Sequence, residues 1–150
     1  MAFSLSPSSK KTFAHSLREK GLRPTKQRAC VYGVILDKRD HPTADDIFDR
    51  VKKHLPGTSF ATVYNCLETL VGCGLVRQVN MDRSPTRYCP NLTPHAHFKC
   101  TETGQIFDVQ IDQETLSKMH ALIPKGFLAE NIDLCFSGKG DSSTPVTDSA

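Results

Sequence analysis

Apolar residues recur along the first half of the chain at helical spacing, and along the second half at strand spacing. Phe13 and Leu17 stand four apart after Ser8 and Ser9, which predicts a capped helix to about Lys20, stopped by Gly21. Leu22-Arg23-Pro24 reads as extended, because the residue before proline avoids the helical region. Thr25 then caps a second helix with a dense apolar stripe through Cys30, Val31, Val34, Ile35 and Leu36. His41-Pro42 breaks the chain. Thr43 caps a third helix, with Asp45 and Asp46 at its positive end and Ile47, Phe48, Val51 and Leu55 on its buried side. After Pro56-Gly57, Ser59 caps a fourth helix to about Gly72, with Val63, Leu67, Leu70 and Val71 at helical spacing.

The period then changes. Leu75 to Met81 and Thr86 to Cys89 read as two strands around a turn at Asp82-Arg83-Ser84-Pro85. Helices followed by a two-stranded ribbon are the order of a winged helix-turn-helix, in which the helix before the ribbon enters the DNA major groove. Beyond Pro90-Asn91-Leu92-Thr93-Pro94 comes a hairpin, a helix from about Gln113 to Leu122, and a strand from Asn131 to Ser137 with Ile132, Leu134 and Phe136 on one face. The chain from 139 to 150 has almost no apolar residues and reads as disordered. The expected class is α+β: a winged helix-turn-helix over residues 1–89, a hinge over 90–94, and a small α/β domain over 95–138. About 60 residues with exposed strands bury little core alone, so this half is expected to pair with a second copy.

The hairpin carries candidate chemistry. With Thr101 to Gly104 as a four-residue loop, Phe98 faces Phe107 and His97 faces Asp108. Two-residue alternation keeps His95 on the face of His97, so two imidazoles and a carboxylate meet. An unpaired carboxylate in an apolar run is costly, which makes Asp108 the more informative member. Cys89 lies six residues before His95, and His41 lies before the third helix. Either could complete a site drawing on both domains; Cys89 could instead be a buried structural thiol, and His41 a surface loop residue.

Charge adds a partner. Residues 1–90 carry 15 Lys and Arg against 8 Asp and Glu, and residues 91–150 carry 4 against 8. A basic first half suits a polyanion, DNA first. The polar side of the fourth helix and its approach offers Thr58, Ser59, Thr62, Tyr64 and Asn65, whose hydroxyls, amide and ring can bond phosphates or pack on a thymine methyl. Arg23, Lys26 and Arg28 flank the start of the second helix, whose amides favour phosphate. At 38% apolar and 23% charged residues, the composition is that of a soluble globular protein. No apolar run is long enough to span a membrane, and the first residues lack a signal-peptide pattern, so a cytoplasmic location is expected. Six scattered cysteines without a Cys-x-x-Cys pair read as mostly reduced, buried thiols.

Four stretches resemble the ferric uptake regulator (Fur) family of bacterial metal-dependent repressors over about residues 10 to 138. They are Gly-Leu-Arg-Pro-Thr-Lys-Gln-Arg at 21–28, His-Pro-Thr-Ala-Asp-Asp-Ile-Phe at 41–48, Ser-Phe-Ala-Thr-Val-Tyr-Asn at 59–65, and His-x-His…Cys…Gly-x-Ile-x-Asp at 95–108. The resemblance implies a homodimer with winged helices outside and a C-terminal α/β dimerisation domain. It implies repression at AT-rich palindromes when a divalent metal is bound near the hinge. Matched by position, the ligands would be His41, Cys89, His95, His97 and Asp108.

Two departures refine it. The family's four-cysteine structural zinc site is not expected, because only Cys100, with Thr103, remains of the first pair, and Ser137-Gly138-Lys139-Gly140-Asp141 replaces the second. Ile132 stands where a histidine often serves a further site. One metal per subunit is therefore expected. Cys89 stands where peroxide sensors have an acidic residue, and a thiolate tilts the preference slightly to Zn²⁺ over Fe²⁺ or Mn²⁺; the His41 motif looks more like the peroxide and iron regulators. Two other classes are weaker. A metal hydrolase needs a placed general base, which no motif makes of Glu102 or Glu114. A thiol-redox regulator using Cys89 or Cys100 lacks a resolving cysteine nearby. The chain reads as a regulator, not an enzyme.

Overall fold

The computed structural model describes residues 4–81 and 83–140. The chain divides into two compact units, Met1–Leu92 and Thr93–Ala150.

The first unit begins with α1 (Pro7–Glu19), α2 (Lys26–Asp37), α3 (Ala44–His54) and α4 (Phe60–Gly72). Local capping chemistry sets where they start. Thr25 accepts from Arg28 N–H, Ser59 from Thr62 N–H, and Thr43 with Asp46 forms a reciprocal capping box. The first cap differs from the expectation at Ser8 or Ser9. Ser6 accepts from Ser9 N–H, which lets Pro7 occupy the first helical turn, where its missing N–H costs nothing.

α2 also differs from the expected single stripe. Six consecutive residues, Cys30 to Ile35, are buried, so the helix is enclosed on all sides along this stretch, while Lys26, Gln27 and Asp37 at its ends are exposed. Phe13 and Leu17 of α1, Ile47 and Val51 of α3, and Val63, Leu67 and Leu70 of α4 join Val31 and Ile35 in one core with Leu75, Val76 and Tyr88. The Phe13 ring stacks on Tyr32 at 5.8 Å. The ribbon is shorter than expected, β1 (Arg77–Val79) against β2 (Arg87–Cys89), with Arg77 opposite Cys89. Leu75 and Val76 have left the strand for the core. Asp82, expected in the turn, lies outside the described residues.

The loop before α3 is anchored by an ion pair. Arg50 Nη1 donates to Asp40 Oδ1 at 2.9 Å, and Nη2 to Oδ2 at 2.7 Å. Burial pushes the Asp40 carboxyl up, but the Arg50 bonds and charge, with Lys38, outweigh it and hold it below its ordinary value. Such a group stabilises the fold above its unfolded pKa, and the contribution disappears as pH falls through the folded one. Arg50→Met is therefore expected to cost about 1 kcal/mol at pH 7, discounted because both groups are partly exposed. The gap from the parent should close below the ordinary carboxylate range. Urea titrations at both pH values check this.

The second unit is a three-stranded sheet of order β4-β3-β5, with β3 (His95–Cys100) central, β4 (Ile106–Gln110) antiparallel and β5 (Cys135–Gly138) parallel to it. The hairpin register is as expected: Phe98 faces Phe107 and His97 faces Asp108. Gly104 closes the loop at φ 74, where a side chain would be strained. The last strand starts four residues later than expected. Extending its parallel register backward would set Ile132 against Pro94, which has no N–H to share, while the Thr93 carbonyl already accepts from His95. Gly138 lets the strand pass the Phe98 ring, whose Cζ would sit 3.3 Å from an added Cβ.

α5 (Gln113–His120), capped by Asp112, has no buried residue. Leu122, Phe127, Leu128 and Phe136 are exposed, at 82%, 74%, 91% and 47%. No helix among the described residues is long and apolar enough to cross a membrane. The tail expected to be disordered lies, from 141 on, outside the described residues.

Candidate metal centre and nucleic-acid face

His95 and His97 leave β3 on one face, and Asp108 leaves β4 on the same face. Their ligand atoms form a triangle. The two Nε2 atoms are 3.0 Å apart, and Asp108 Oδ1 lies 3.5 Å from His95 Nε2 and 3.4 Å from His97 Nε2. The rings meet edge to face, with centroids 4.6 Å apart. The side chains are 1% exposed at His95, 5% at Asp108 and 15% at His97, which keeps the most access to water.

Tautomer chemistry points the lone pairs inward. His95 Nδ1 lies 2.7 Å from the Thr93 carbonyl, and only an N–H can bond an acceptor, so Nδ1 carries the proton. In the neutral ring, Nε2 is then a bare donor atom facing the triangle, with its orientation fixed from behind, as in metal-bound histidines. Donors bound at about 2.0–2.1 Å to one ion at 90–109° lie about 2.9–3.4 Å apart. The edges of this triangle match that within about 0.1 Å. Two imidazoles and a carboxylate fit zinc, iron or manganese, and not the all-oxygen sites of calcium.

His41 and Cys89 belong to the first unit. Both are buried, and their ligand atoms lie within 4.8 Å of each other. His41 adopts a left-handed φ of 54. Its carbonyl accepts from Arg87 Nη1 at 3.0 Å, and Tyr88 N–H donates to the Pro42 carbonyl, also at 3.0 Å. Arg87 gave no motif signal, because its contact is to a main-chain atom 46 residues away.

The cysteines separate by environment. Cys30, Cys66, Cys89 and Cys100 are buried, Cys73 is half-buried, and Cys135, against expectation, is exposed on β5. Burial pushes the Cys66 thiol up, and burial with the neighbouring Cys66 does the same to Cys30. Cys100 is opposite in kind. The Thr103 hydroxyl, followed by N–H groups of the turn, brings it to about 7.

On α4, Tyr64 is 43% exposed, Ser59 and Asn65 are exposed, and Thr62 is half-buried. The Ser59 and Thr62 hydroxyls lie 2.9 Å apart and are shared with the cap. Phe60, absent from the sequence-based residues, is 41% exposed and stacks on Tyr64 at 6.5 Å while meeting the Phe48 edge at 5.5 Å. Its position between a capping serine and the apolar stripe was the signal available. Arg23 and Lys26 are exposed, and Arg28 Nη1 turns back to the Arg23 carbonyl at 2.8 Å.

The chain is similar to known proteins in sequence and fold. The Ferric uptake regulator family model matches residues 19–137. A Peroxide-responsive repressor PerR from Staphylococcus aureus (strain Mu50) is 35% identical over 98 residues. That stretch is 65% of this chain and 66% of the relative, so the match spans just under two thirds of the relative's length. Among solved structures, the Helicobacter pylori ferric uptake regulator Fur aligns with a TM-score of 0.74 at 20% identity, covering 94% of this chain and 95% of that one. The Campylobacter jejuni peroxide stress regulator aligns at 0.67 and 28% identity, covering 93% and 100%. The helical first unit with its ribbon is a winged helix, and the second is the small α/β domain of the same fold. By this family match and relatedness to peroxide-stress regulators, the chain belongs to the Ferric uptake regulator family.

Proposed function

We propose that this protein is a metal-dependent transcriptional repressor that binds palindromic, AT-rich DNA as a homodimer and has no catalytic activity. The observation that carries the reading is the buried His95–His97–Asp108 triangle, whose edges suit one divalent ion. His41 and Cys89 supply the remaining ligands, so that one metal per subunit draws donors from both parts of the chain and restrains the hinge over 90–94. The repressor names of its relatives support the direction of regulation.

The recognition surface is α4, with Ser59, Thr62, Tyr64 and Asn65 toward the bases and Arg23, Lys26 and Arg28 toward phosphates. Dimerisation falls to residues 95–138 of the second unit. Leu122, Phe127, Leu128 and Phe136 present apolar surface there that a second copy would cover, and β5 has one edge without a strand partner among the described residues. Cys89 in the ligand set tilts the preference toward Zn²⁺.

A second reading has its own support: the similarity to peroxide-responsive repressors favours Fe²⁺ or Mn²⁺ and release of DNA by peroxide. Gel shifts on one AT-rich palindrome separate the readings. Chelated protein should leave the DNA free, and Zn²⁺- or Mn²⁺-loaded protein should retain it as a dimer. Equal retention in both states defeats metal dependence. Loss of the complex when the Fe²⁺-loaded form meets peroxide, with the Zn²⁺ form unaffected, selects the second reading.

A further inference from the structure

Residues 42–43 run beside the ribbon through one isolated bridge. Thr43 faces Arg87 in an antiparallel bridge, and Tyr88 N–H donates to the Pro42 carbonyl at 3.0 Å. Carrying that register two residues further sets His41 opposite Cys89, on the face of Thr43 and Arg87. The chain does not continue as a strand there, because His41 turns left-handed at φ 54. For a residue with a Cβ that conformation costs about 1–2 kcal/mol, so the surroundings must hold it.

One side chain does so directly. Arg87 Nη1 donates to the His41 carbonyl at 3.0 Å in a part-buried bond. The Arg87 Nε is buried without a hydrogen-bond partner among the described residues, so the guanidinium is not there for its own solvation. On the other side, Asp40 is forked to Arg50 on α3. Arginines thus hold the His41 carbonyl on one side, from the ribbon, and the side chain of the preceding Asp40 on the other, from a helix.

We propose that Arg87 is a positioning residue that fixes the left-handed turn at His41, aims its imidazole toward Cys89, and so couples a metal ligand to the ribbon. This rests on the metal-site reading above. A positioning role and simple electrostatics differ in sign. Arg87 is a cation close to a cation site, so removing its charge alone would tighten metal binding. Removing a positioning group loosens it, typically by about 10- to 100-fold for a residue behind a ligand.

The test titrates Zn²⁺ into the full chain against a chelating indicator, with metal-free melting curves alongside. Arg87→Met should weaken Zn²⁺ binding about tenfold while still melting cooperatively, and Arg87→Lys, which keeps one donor but not the fork, should lose about threefold. In a His41→Ala background, Arg87→Met should have no further effect. Tighter or unchanged binding in Arg87→Met, or an undiminished effect without His41, overturns the proposal. If Arg87→Met fails to fold, Arg87→Lys carries the same cycle: a loss that vanishes without His41 supports the role, and no loss, or a loss that persists, rejects it. If His41→Ala alone leaves affinity unchanged, the assignment of His41 to the metal fails, and that result is distinct from a failure of Arg87.

Discussion

Replacing His97 by alanine is expected to lower divalent-metal affinity about 100-fold, equivalent to about 2.8 kcal/mol. His97 Nε2 forms two sides of the ligand triangle, at 3.0 Å from His95 and 3.4 Å from Asp108. Losing a vertex leaves two of the triangle's three donors, beside His41 and Cys89. The fold should survive, because the main core lies in the other unit and His95 remains 3.5 Å from Asp108, so the buried carboxylate keeps a partner. Metal-dependent retention of DNA should fall with affinity and return at high metal concentration. Chelator-competition titration measures the first quantity, and anisotropy on a labelled palindrome the second. An affinity within threefold of the parent would remove His97 from the ligand set.

The second large effect is expected on the DNA side. Tyr64→Ala should weaken operator binding about 30-fold, about 2 kcal/mol, as two recognition helices per dimer each lose about 1 kcal/mol of base packing. Tyr64 is 43% exposed and stacked on Phe60, so its removal opens no core cavity. Metal affinity and melting temperature should therefore stay at parental values. Replacing operator thymines by uracils tests the contact itself: the parent should bind uracil DNA more weakly, and Tyr64→Ala should be indifferent to the change at the positions it reads. A fall in metal affinity with unchanged DNA binding would reverse the roles assigned to the two units.

Together these variants separate sensing from reading. His97 variants should respond to added metal, and Tyr64 variants should not. The Cys100 thiol, brought to about 7 by Thr103 and the turn amides, is a separate group that ionises more readily than an ordinary thiol. Loss of peroxide sensitivity in Cys100→Ser, but not in His97→Ala, would move the peroxide chemistry from the metal to that thiol.

What could be read from the chain is local. Thr25, Thr43 and Ser59 cap helices because a hydroxyl reaches an amide three residues on, whatever the rest of the protein does. The hairpin register, and with it the meeting of His95, His97 and Asp108, follows from a four-residue loop and two-residue alternation. Tertiary structure decided the remainder. The stripe on α2 could not reveal burial on every side, since that depends on what packs against its polar-looking faces. The bounds of β5 depend on a parallel partner, β3, that lies far away in sequence. Arg87 was invisible as a site residue because it acts on the main chain of His41, and a carbonyl carries no sequence signature. Side-chain chemistry at short range is written in residue types; contacts to backbone atoms across 46 residues exist only once the chain has folded.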